Sequence, residues 1–456
     1  MTFMFRSAPI RPVIDIALLY GGKVSTVLVA LIALPWYQKL LGPETFGVLA
    51  VILSLQAFLV LMDLGMSTVV NREIAYGSEG FSDYDIFRAS ILVLNVFYVA
   101  LVLIALVFSQ LSSFEISLKT ILLSIVCFWA VTMQNVAQSA LLAKRRFSQA
   151  GLNQTVGVLA RAALTIGSLL AIEPTIEVFL IAQAVTAVLH FLSTLLMCST
   201  FMDRSKRSLY SRTALAKTLA LQGRPLVLFG LAGAAALQLD KVILAFFNQP
   251  ETVSDYYLAS VFCLTPISVL AAPIAQFFQP QIIRAVADED SESIARLSRR
   301  LTATLVIVVG VVSIVLWLYR DAFLDVWLHG SNSENVVSSY VAVMLPGVAL
   351  GSLGYVPFSL LTAQQDYSFQ AILSSLLTIG TLLAVALAAF NGSVMAVCSV
   401  YVTYHIGSAV VSWIRAIRLQ SKNSRYATEA AYTAIKGIAA LSLPVAVIIG
   451  VGSALS

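Results

Sequence analysis

The sequence predicts an all-α polytopic membrane protein, and three observations lead to this fold class. Hydrophobic residues make up 59% of the 456 residues, charged residues make up 11%, and the mean hydropathy is +0.90. A soluble globular protein carries about 25% charged residues, so these charges cannot build a water-facing surface. Many runs of the roughly 20 apolar residues needed to span a bilayer follow one another closely. The runs do not alternate apolar and polar residues, as strands of a membrane barrel would.

Thirteen apolar runs are long enough to cross the membrane as helices. The first exceeds the apolar core of a signal peptide, which is about 7–15 residues long, so it is predicted to be a span. The connections are too short to hold a folded soluble domain. The predicted spans are 13–37, 44–69, 86–109, 119–142, 149–172, 176–200, 219–247, 254–282, 299–320, 336–361, 369–390, 394–418 and 435–455.

Basic residues are concentrated in alternate connections, which predicts the orientation of the chain. Positively charged residues favour the cytoplasmic side of a membrane. Residues 144–146 are all basic, and residues 203–217 contain five basic residues. With the N-terminus in the cytoplasm, the opposite connections hold only Lys39, Lys119 and Arg320. We therefore expect a cytoplasmic N-terminus, and the juxtamembrane position of these residues explains the net charge of +5 without nucleic-acid binding.

The basic connection near the middle divides the first twelve spans into two groups of six. Short motifs recur at corresponding places: Pro-Glu-Thr at residues 43–45 and 250–252, and a Leu-Leu pair followed by aromatic-Ser at 141–148 and 360–368. Because each half has six spans, both enter the membrane the same way up, as in transporters with parallel repeats. The predicted domains are an N-terminal bundle 1–200, a cytoplasmic linker 201–218, a C-terminal bundle 219–418, and a tail 419–456 with the thirteenth span.

Several charged residues lie inside predicted spans, where each costs about 2.5–3.5 kcal/mol on insertion scales. They are Lys23 in span one, Asp63 in span two, Arg161 in span five, and Arg224, Asp240 and Lys241 in span seven. Lys23 and Arg161 lie too deep to reach the headgroups easily, so we expect both to face one shared cavity in the first half.

The remaining intramembrane charges leave two interpretations open. Arg224 lies near the cytoplasmic end of its span, where it could either reach the headgroups or face the cavity. Asp63, Asp240 and Lys241 are either structural or involved in coupling. Because Asp240 and Lys241 are adjacent, we expect them to point to different helix faces and not to pair with each other.

Polar residues at helical spacing form stripes on several spans of the first half. Gln154, Gly157, Arg161, Thr165 and Ser168 share one face of span five. Similar stripes are Lys23, Thr26, Ala30 and Tyr37 in span one, Gln56, Asp63 and Ser67 in span two, and Gln183, Thr186, His190 and Thr194 in span six. Together they predict a wet cleft at the axis of the bundle. His190 is either a packing residue or part of a coupling site.

No catalytic constellation is recognisable in the sequence. It contains no Walker motif, no HExxH and no GxSxG. The four cysteines lie inside apolar runs without metal-ligand spacing. We therefore expect no enzymatic activity, no cofactor and no bound metal.

Five short segments resemble the polysaccharide (O-antigen type) flippases. They are LGPETFG at 41–47, LMDLG at 61–65, NREIA at 71–75, LDKVIL at 239–244 and YYLA at 256–259. These flippases belong to the multidrug/oligosaccharidyl-lipid/polysaccharide exporter superfamily, which also contains multidrug extruders and the lipid-II flippase. The resemblance covers the six-plus-six arrangement and thus most of the chain, but the thirteenth span departs from the usual twelve or fourteen.

The resemblance implies two six-helix bundles in a parallel pseudo-twofold repeat, V-shaped around a central cavity. It implies that an undecaprenyl-diphosphate-linked oligosaccharide moves from the cytoplasmic to the periplasmic leaflet of the bacterial inner membrane by alternating access. The product would serve O-antigen, capsule or exopolysaccharide assembly, together with other polysaccharide-assembly proteins. Lys23, Arg161 and Arg224 are the candidate cavity cations that bind the anionic head.

Two alternatives remain open. A drug or cation antiporter of the same fold would favour an anionic first-half cavity, whereas Lys23 and Arg161 here outnumber Asp63. A membrane enzyme acting on lipid-linked sugars would need an outer loop with catalytic polar groups. The longest predicted outer loop, about 321–335, has no evident acid–base pair.

Overall fold

The computed structural model describes residues 10–76, 81–111, 117–202, 212–328, 333–420 and 425–455. Regular secondary structure within these ranges is entirely helical, which confirms the predicted all-α class. Half of the predicted cytoplasmic linker 201–218, residues 203–211, lies outside the described residues. Eleven helices in the described ranges are long and apolar enough to cross a membrane.

Sixteen α-helices are described, and each predicted span overlaps one or two of them. The helices that contain the predicted spans 219–247, 299–320 and 435–455 begin seven to nine residues earlier than predicted. The helices that precede the basic linker are α1 (Ile10–Leu41), α2 (Pro43–Met62), α3 (Met66–Tyr76), α4 (Asp83–Leu111), α5 (Leu118–Ala143), α6 (Phe147–Ala171) and α7 (Ile176–Phe201). The helices that follow it are α8 (Arg212–Phe247), α9 (Pro250–Ala287), α10 (Ser291–Leu318), α11 (Arg320–Leu328), α12 (Glu334–Gly351), α13 (Tyr355–Ala363), α14 (Tyr367–Phe390), α15 (Val394–Leu419) and α16 (Tyr426–Leu455).

Local sequence signals explain where these helices begin. Gly42 separates α1 from α2 with a φ of 79°, which glycine adopts without strain, and Pro43 then opens α2 where no backbone N–H donor is needed. The side chain of Asp290 caps α10 by accepting a hydrogen bond from the Ser293 backbone N–H at 3.0 Å. Hydrogen bonds from Ser293 hold the pKa of this exposed carboxyl below its usual value.

Predicted span two is broken into α2 and α3 by a short 3₁₀ turn at Asp63–Gly65. Leu64 has a φ of 52°, a conformation that is costly for a residue with a side chain. The Asp63 carboxylate accepts backbone N–H bonds from Gly65 at 3.0 Å and Ser67 at 3.2 Å, so it satisfies donors at the start of α3. The Asp63 carboxylate therefore caps the break between α2 and α3.

The chain divides into two compact units, Met1–Gln238 (unit 1) and Leu239–Ser456 (unit 2). The division falls inside α8, so most of this helix belongs to unit 1. In unit 1, α1 packs against α6 and α5 packs against α7. In unit 2, α12 packs against α9 and α15, and α10 packs against α16.

Helix α16 contains the predicted thirteenth span and packs closely along α10. A Cβ on Gly310 would lie 2.6 Å from Leu441, and a Cβ on Gly437 would lie 2.6 Å from Val306. At the start of α16, Glu429 forms an ion pair with Arg299 of α10 at 3.5 Å. The two glycines thus allow α16 to join unit 2 as an additional packed helix.

Large apolar side chains cover the outer surfaces of both units. Leu196 and Phe390, for example, are 69% and 73% exposed. Exposed apolar surface on this scale is unusual for a soluble protein but suits contact with lipid. The exposed surface therefore agrees with the hydropathy of the sequence.

Candidate functional site

The predicted polar stripes of spans one and five meet along α1 and α6. A Cβ on Gly22 would lie 2.8 Å from the carbonyl oxygen of Gly151, so the two backbones are in direct contact. One turn further along, the Gln154 side-chain amide donates to the Thr26 hydroxyl at 3.1 Å. Lys23 lies next to this contact on α1, but its side chain is outside the described part of the chain.

Helices α1 and α6 run parallel. Tyr37, near the end of α1, lies beside Thr165 in the later part of α6, just as Gly22 lies beside Gly151 in the earlier part. Two odd-numbered spans must cross the membrane in the same direction, so this contact agrees with the predicted span order. The ring of Tyr37 also packs edge-on against Phe179 of α7, with ring centroids 4.9 Å apart.

Arg161 on α6 is a partly buried cation that has no anionic partner among the described residues. Its Nε atom is buried without a hydrogen-bond partner, and no carboxylate forms an ion pair with its guanidinium among the described residues. Cys127, Tyr37 and His190 lie close enough to interact with it electrostatically. The next turn of α6 is fixed by Gln183 of α7, which donates to the Thr165 hydroxyl at 3.1 Å. Within the part of unit 1 that the structure describes, Arg161 is thus a positive charge without an ion pair on a well-fixed helix.

His190 on α7 belongs to a buried hydrogen-bonded cluster and does not line an open cleft. Its Nε2 atom lies 3.0 Å from the Gln134 side-chain nitrogen, and Thr194 donates to the oxygen of the same amide at 2.6 Å. A Cβ on Gly157 of α6 would lie 2.4 Å from the imidazole ring.

The whole span-six stripe is buried by helix packing. Gln183, Thr186, His190 and Thr194 are between 0% and 8% exposed. The prediction that this stripe lines a wet cleft is therefore wrong. A polar side chain inside a membrane needs a partner, and the facing helices supply it here.

Asp240 and Lys241 form an ion pair, so the prediction that they do not pair is wrong. Lys241 Nζ lies 3.0 Å from Asp240 Oδ1, and both side chains are buried in unit 2. Asp240 Oδ2 also accepts a hydrogen bond from the Tyr256 hydroxyl at 2.7 Å. The flexible four-carbon stem of lysine lets the ammonium return to the neighbouring carboxylate although the two Cβ atoms diverge.

Sequence analysis missed one further buried carboxylate, Asp255 on α9. The Oδ1 atom of Asp255 is buried without a hydrogen-bond partner. The carboxyl group as a whole has Ser333 as its hydrogen-bonding neighbour. The sequence could have indicated this residue, because Asp255 is a charged residue within predicted span eight. Arg224, the third candidate cation, has a side chain outside the described part of the chain. No cluster of three metal-ligand side chains occurs in the described ranges.

A family model described as "Polysaccharide biosynthesis protein" matches residues 13–280 of this chain. A search of curated protein sequences finds no match. Solved structures, in contrast, match over almost the whole length of the chain.

One similar structure is the lipid II flippase MurJ in an inward closed conformation. It has 12% sequence identity and a TM-score of 0.74, with 94% of this chain and 92% of that chain covered. An inward-facing multidrug resistance MATE family transporter of the MOP superfamily has 13% identity and a TM-score of 0.67, with 86% and 94% covered. A third similar structure is a MOP superfamily transporter from Pyrococcus furiosus, whose binding pocket is reported to have reverse polarity. It has 14% identity and a TM-score of 0.61, with 89% of this chain and 94% of that chain covered. At these identities the similarity shows a common fold.

Proposed function

Because this chain belongs to the polysaccharide biosynthesis protein family, whose model covers more than half of its length, we propose that it is a flippase for lipid-linked oligosaccharides. It transfers an undecaprenyl-diphosphate-linked oligosaccharide from the cytoplasmic to the periplasmic leaflet of the bacterial inner membrane. The product enters O-antigen, capsule or exopolysaccharide assembly. The head group crosses the bilayer through the protein while the polyprenyl tail stays in lipid.

The unpaired guanidinium of Arg161 is the observation that carries this proposal. A diphosphate brings negative charge into a region of low dielectric constant, where a positive partner has a large effect. Arginine suits this role because its planar donors match phosphate oxygens two at a time. A cation already neutralised by a carboxylate would have to give up that partner first, and Arg161 has no such partner among the described residues.

Lys23 and Arg161 act on the head group one after the other. Lys23 follows Gly22, which touches Gly151, and Arg161 lies ten residues further along α6. At 1.5 Å per residue the two positions differ by about 15 Å along the helix axis. The two residues thus lie at different depths along the axis of α6. They therefore provide successive positions along the path, with Lys23 and Arg224 nearer to the cytoplasm.

Alternating access supplies the movement, as expected for two parallel six-span repeats. The head group must be bound weakly enough to be released on the opposite side. Separate cations at different depths suit this requirement better than a tight multidentate site.

An antiporter for drugs or cations is the second candidate, because MATE transporters share the fold. A cationic substrate needs an anionic site, and the polar region of unit 1 around Arg161 has the opposite charge. The Asp63 carboxylate already accepts backbone N–H bonds from Gly65 and Ser67 at the break between α2 and α3, so it has fewer free lone pairs for a cation. The electrostatics of unit 1 therefore favour an anionic substrate.

Complementation separates the two candidates. The gene is expected to restore surface polysaccharide in a flippase-null bacterial strain and to leave the drug tolerance of a transporter-deficient strain unchanged. Polysaccharide is measured on the cell surface, and membrane protein level is the control. Increased drug tolerance without polysaccharide export would favour the antiporter.

A labelling experiment tests the proposed orientation. Single cysteines at residues 203–217 are expected to escape a membrane-impermeant thiol reagent added from outside, whereas cysteines at residues 248–253 should react. Background should be low, because Cys127, Cys198, Cys263 and Cys398 are all buried. Labelling at residues 203–217 alone would show that the orientation is the reverse of the one proposed, because the five basic residues there would then lie outside the cell.

A further inference from the structure

The ammonium of Lys241 is enclosed in unit 2 by groups from three helices. Asp240 lies beside it on α8, and its carboxylate oxygen is 3.0 Å away. The ring centroids of Tyr256 on α9 and Tyr401 on α15 each lie 5.8 Å from Nζ. Lys241 and Asp240 are 3% and 1% exposed, so both charges are withdrawn from bulk water.

These surroundings have the chemistry of a site for a compact ammonium ion. Aromatic rings attract a cation through the negative charge of their faces, and the attraction is larger when water is excluded. The carboxylate supplies the balancing negative charge, and the Tyr256 hydroxyl, which donates to Asp240 Oδ2 at 2.7 Å, fixes its orientation. His405 packs against Tyr401, with ring centroids 4.6 Å apart, and so supports one of the two rings.

We infer that Asp240, Tyr256 and Tyr401 form a binding site for one primary ammonium ion, and that the side chain of Lys241 permanently occupies it. An external cation therefore cannot bind at Asp240 while Lys241 is present. The ion that Asp240 needs is supplied by the chain itself, so Asp240 is not a point of ion exchange during transport. This inference concerns unit 2 alone and does not depend on the proposed substrate.

Chemical rescue tests the inference. Replacing Lys241 with Ala leaves Asp240 as a buried carboxylate without its cation, and also leaves the space of the missing stem. The purified variant is expected to melt several degrees below the unaltered protein. Addition of methylammonium, ethylammonium or propylammonium chloride should recover most of the loss, with the largest recovery for propylammonium. The neutral analogue propanol should recover none of it.

Two control variants identify the source of any rescue. The double variant Asp240→Asn, Lys241→Ala lacks the carboxylate, so amines should not raise its melting temperature. Lys436→Ala removes an exposed lysine that lies 4.4 Å from the centroid of the Tyr432 ring, and it should melt like the unaltered protein. Equal rescue of the single and double variants, or no rescue of the single variant, would overturn the inference.

A second comparison applies if Lys241→Ala does not fold. Lys241→Met keeps the volume of the stem but removes the cation, and the double variant Asp240→Asn, Lys241→Met also removes the stranded charge. The double variant should be the more stable of the two, and should accumulate to a higher level in membranes. If Lys241→Met is as stable as the double variant, Asp240 does not require a cation and the inference fails.

Discussion

Replacement of Arg161 by alanine is expected to abolish most export of surface polysaccharide while the protein still inserts at its normal level. The variant loses the charged donors that bind the diphosphate. Hydrogen bonds to charged groups contribute about 1.5–3 kcal/mol, so head-group binding should weaken by roughly 10- to 100-fold. Insertion should not suffer, because the guanidinium has no ion pair among the described residues that the substitution would break.

Conservative and control variants sharpen this prediction. Arg161→Lys should keep part of the activity, because the charge remains although the planar pair of donors is lost. Arg284→Ala removes an arginine whose side chain is 86% exposed, and it should export normally. Complementation of a flippase-null strain measures all three. Full export by the double variant Lys23→Ala, Arg161→Ala at a normal membrane level would remove cationic head-group capture from the mechanism.

Replacement of Gly157 by alanine is expected to destabilise unit 1 by about 1–3 kcal/mol, the usual cost of overpacking a buried contact. The new Cβ would lie 2.4 Å from the imidazole ring of His190. The ring cannot move away freely, because its contact with Gln134 at 3.0 Å joins it to a hydrogen-bonded cluster. The melting temperature of the purified protein measures the effect.

Gly167 provides a matched control on the same helix. A Cβ on Gly167 meets no atom within 4 Å, and alanine favours helix more than glycine does. Gly167→Ala should therefore be neutral or slightly stabilising. The double variant Gly157→Ala, His190→Ala should recover part of the loss, because the obstructing ring is gone. A Gly157→Ala protein as stable as the unaltered one would show that His190 is not fixed in place.

The helical membrane class could be predicted from sequence because long apolar runs have few alternative structures. The break at Asp63–Gly65 could not, because one charged residue within an otherwise apolar span does not by itself indicate a break. It depends on a carboxylate that caps α3 and on one residue in an unfavourable backbone conformation. Hydropathy identifies long apolar runs, but it does not identify a helix cap or an unfavourable backbone conformation.

The candidate site was predictable only in part. Helical periodicity identifies residues that share a face, but it does not say whether that face meets water or another helix. For this reason the periodicity of the stripe containing His190 predicts that it lines a cleft, whereas the structure buries it between helices. Adjacent positions on a helix likewise suggested that Asp240 and Lys241 are separate, whereas the long lysine stem brings the two charges to 3.0 Å.

Transport by the purified protein in lipid vesicles tests the central claim most directly. The vesicles contain a fluorescent undecaprenyl-diphosphate-linked oligosaccharide, and a membrane-impermeant reagent reports how much of it has changed leaflet. We expect the unaltered protein to accelerate this movement well above that in protein-free vesicles, and Arg161→Ala to lose most of the acceleration. Movement no faster than in protein-free vesicles, or equal movement with Arg161→Ala, would contradict the account.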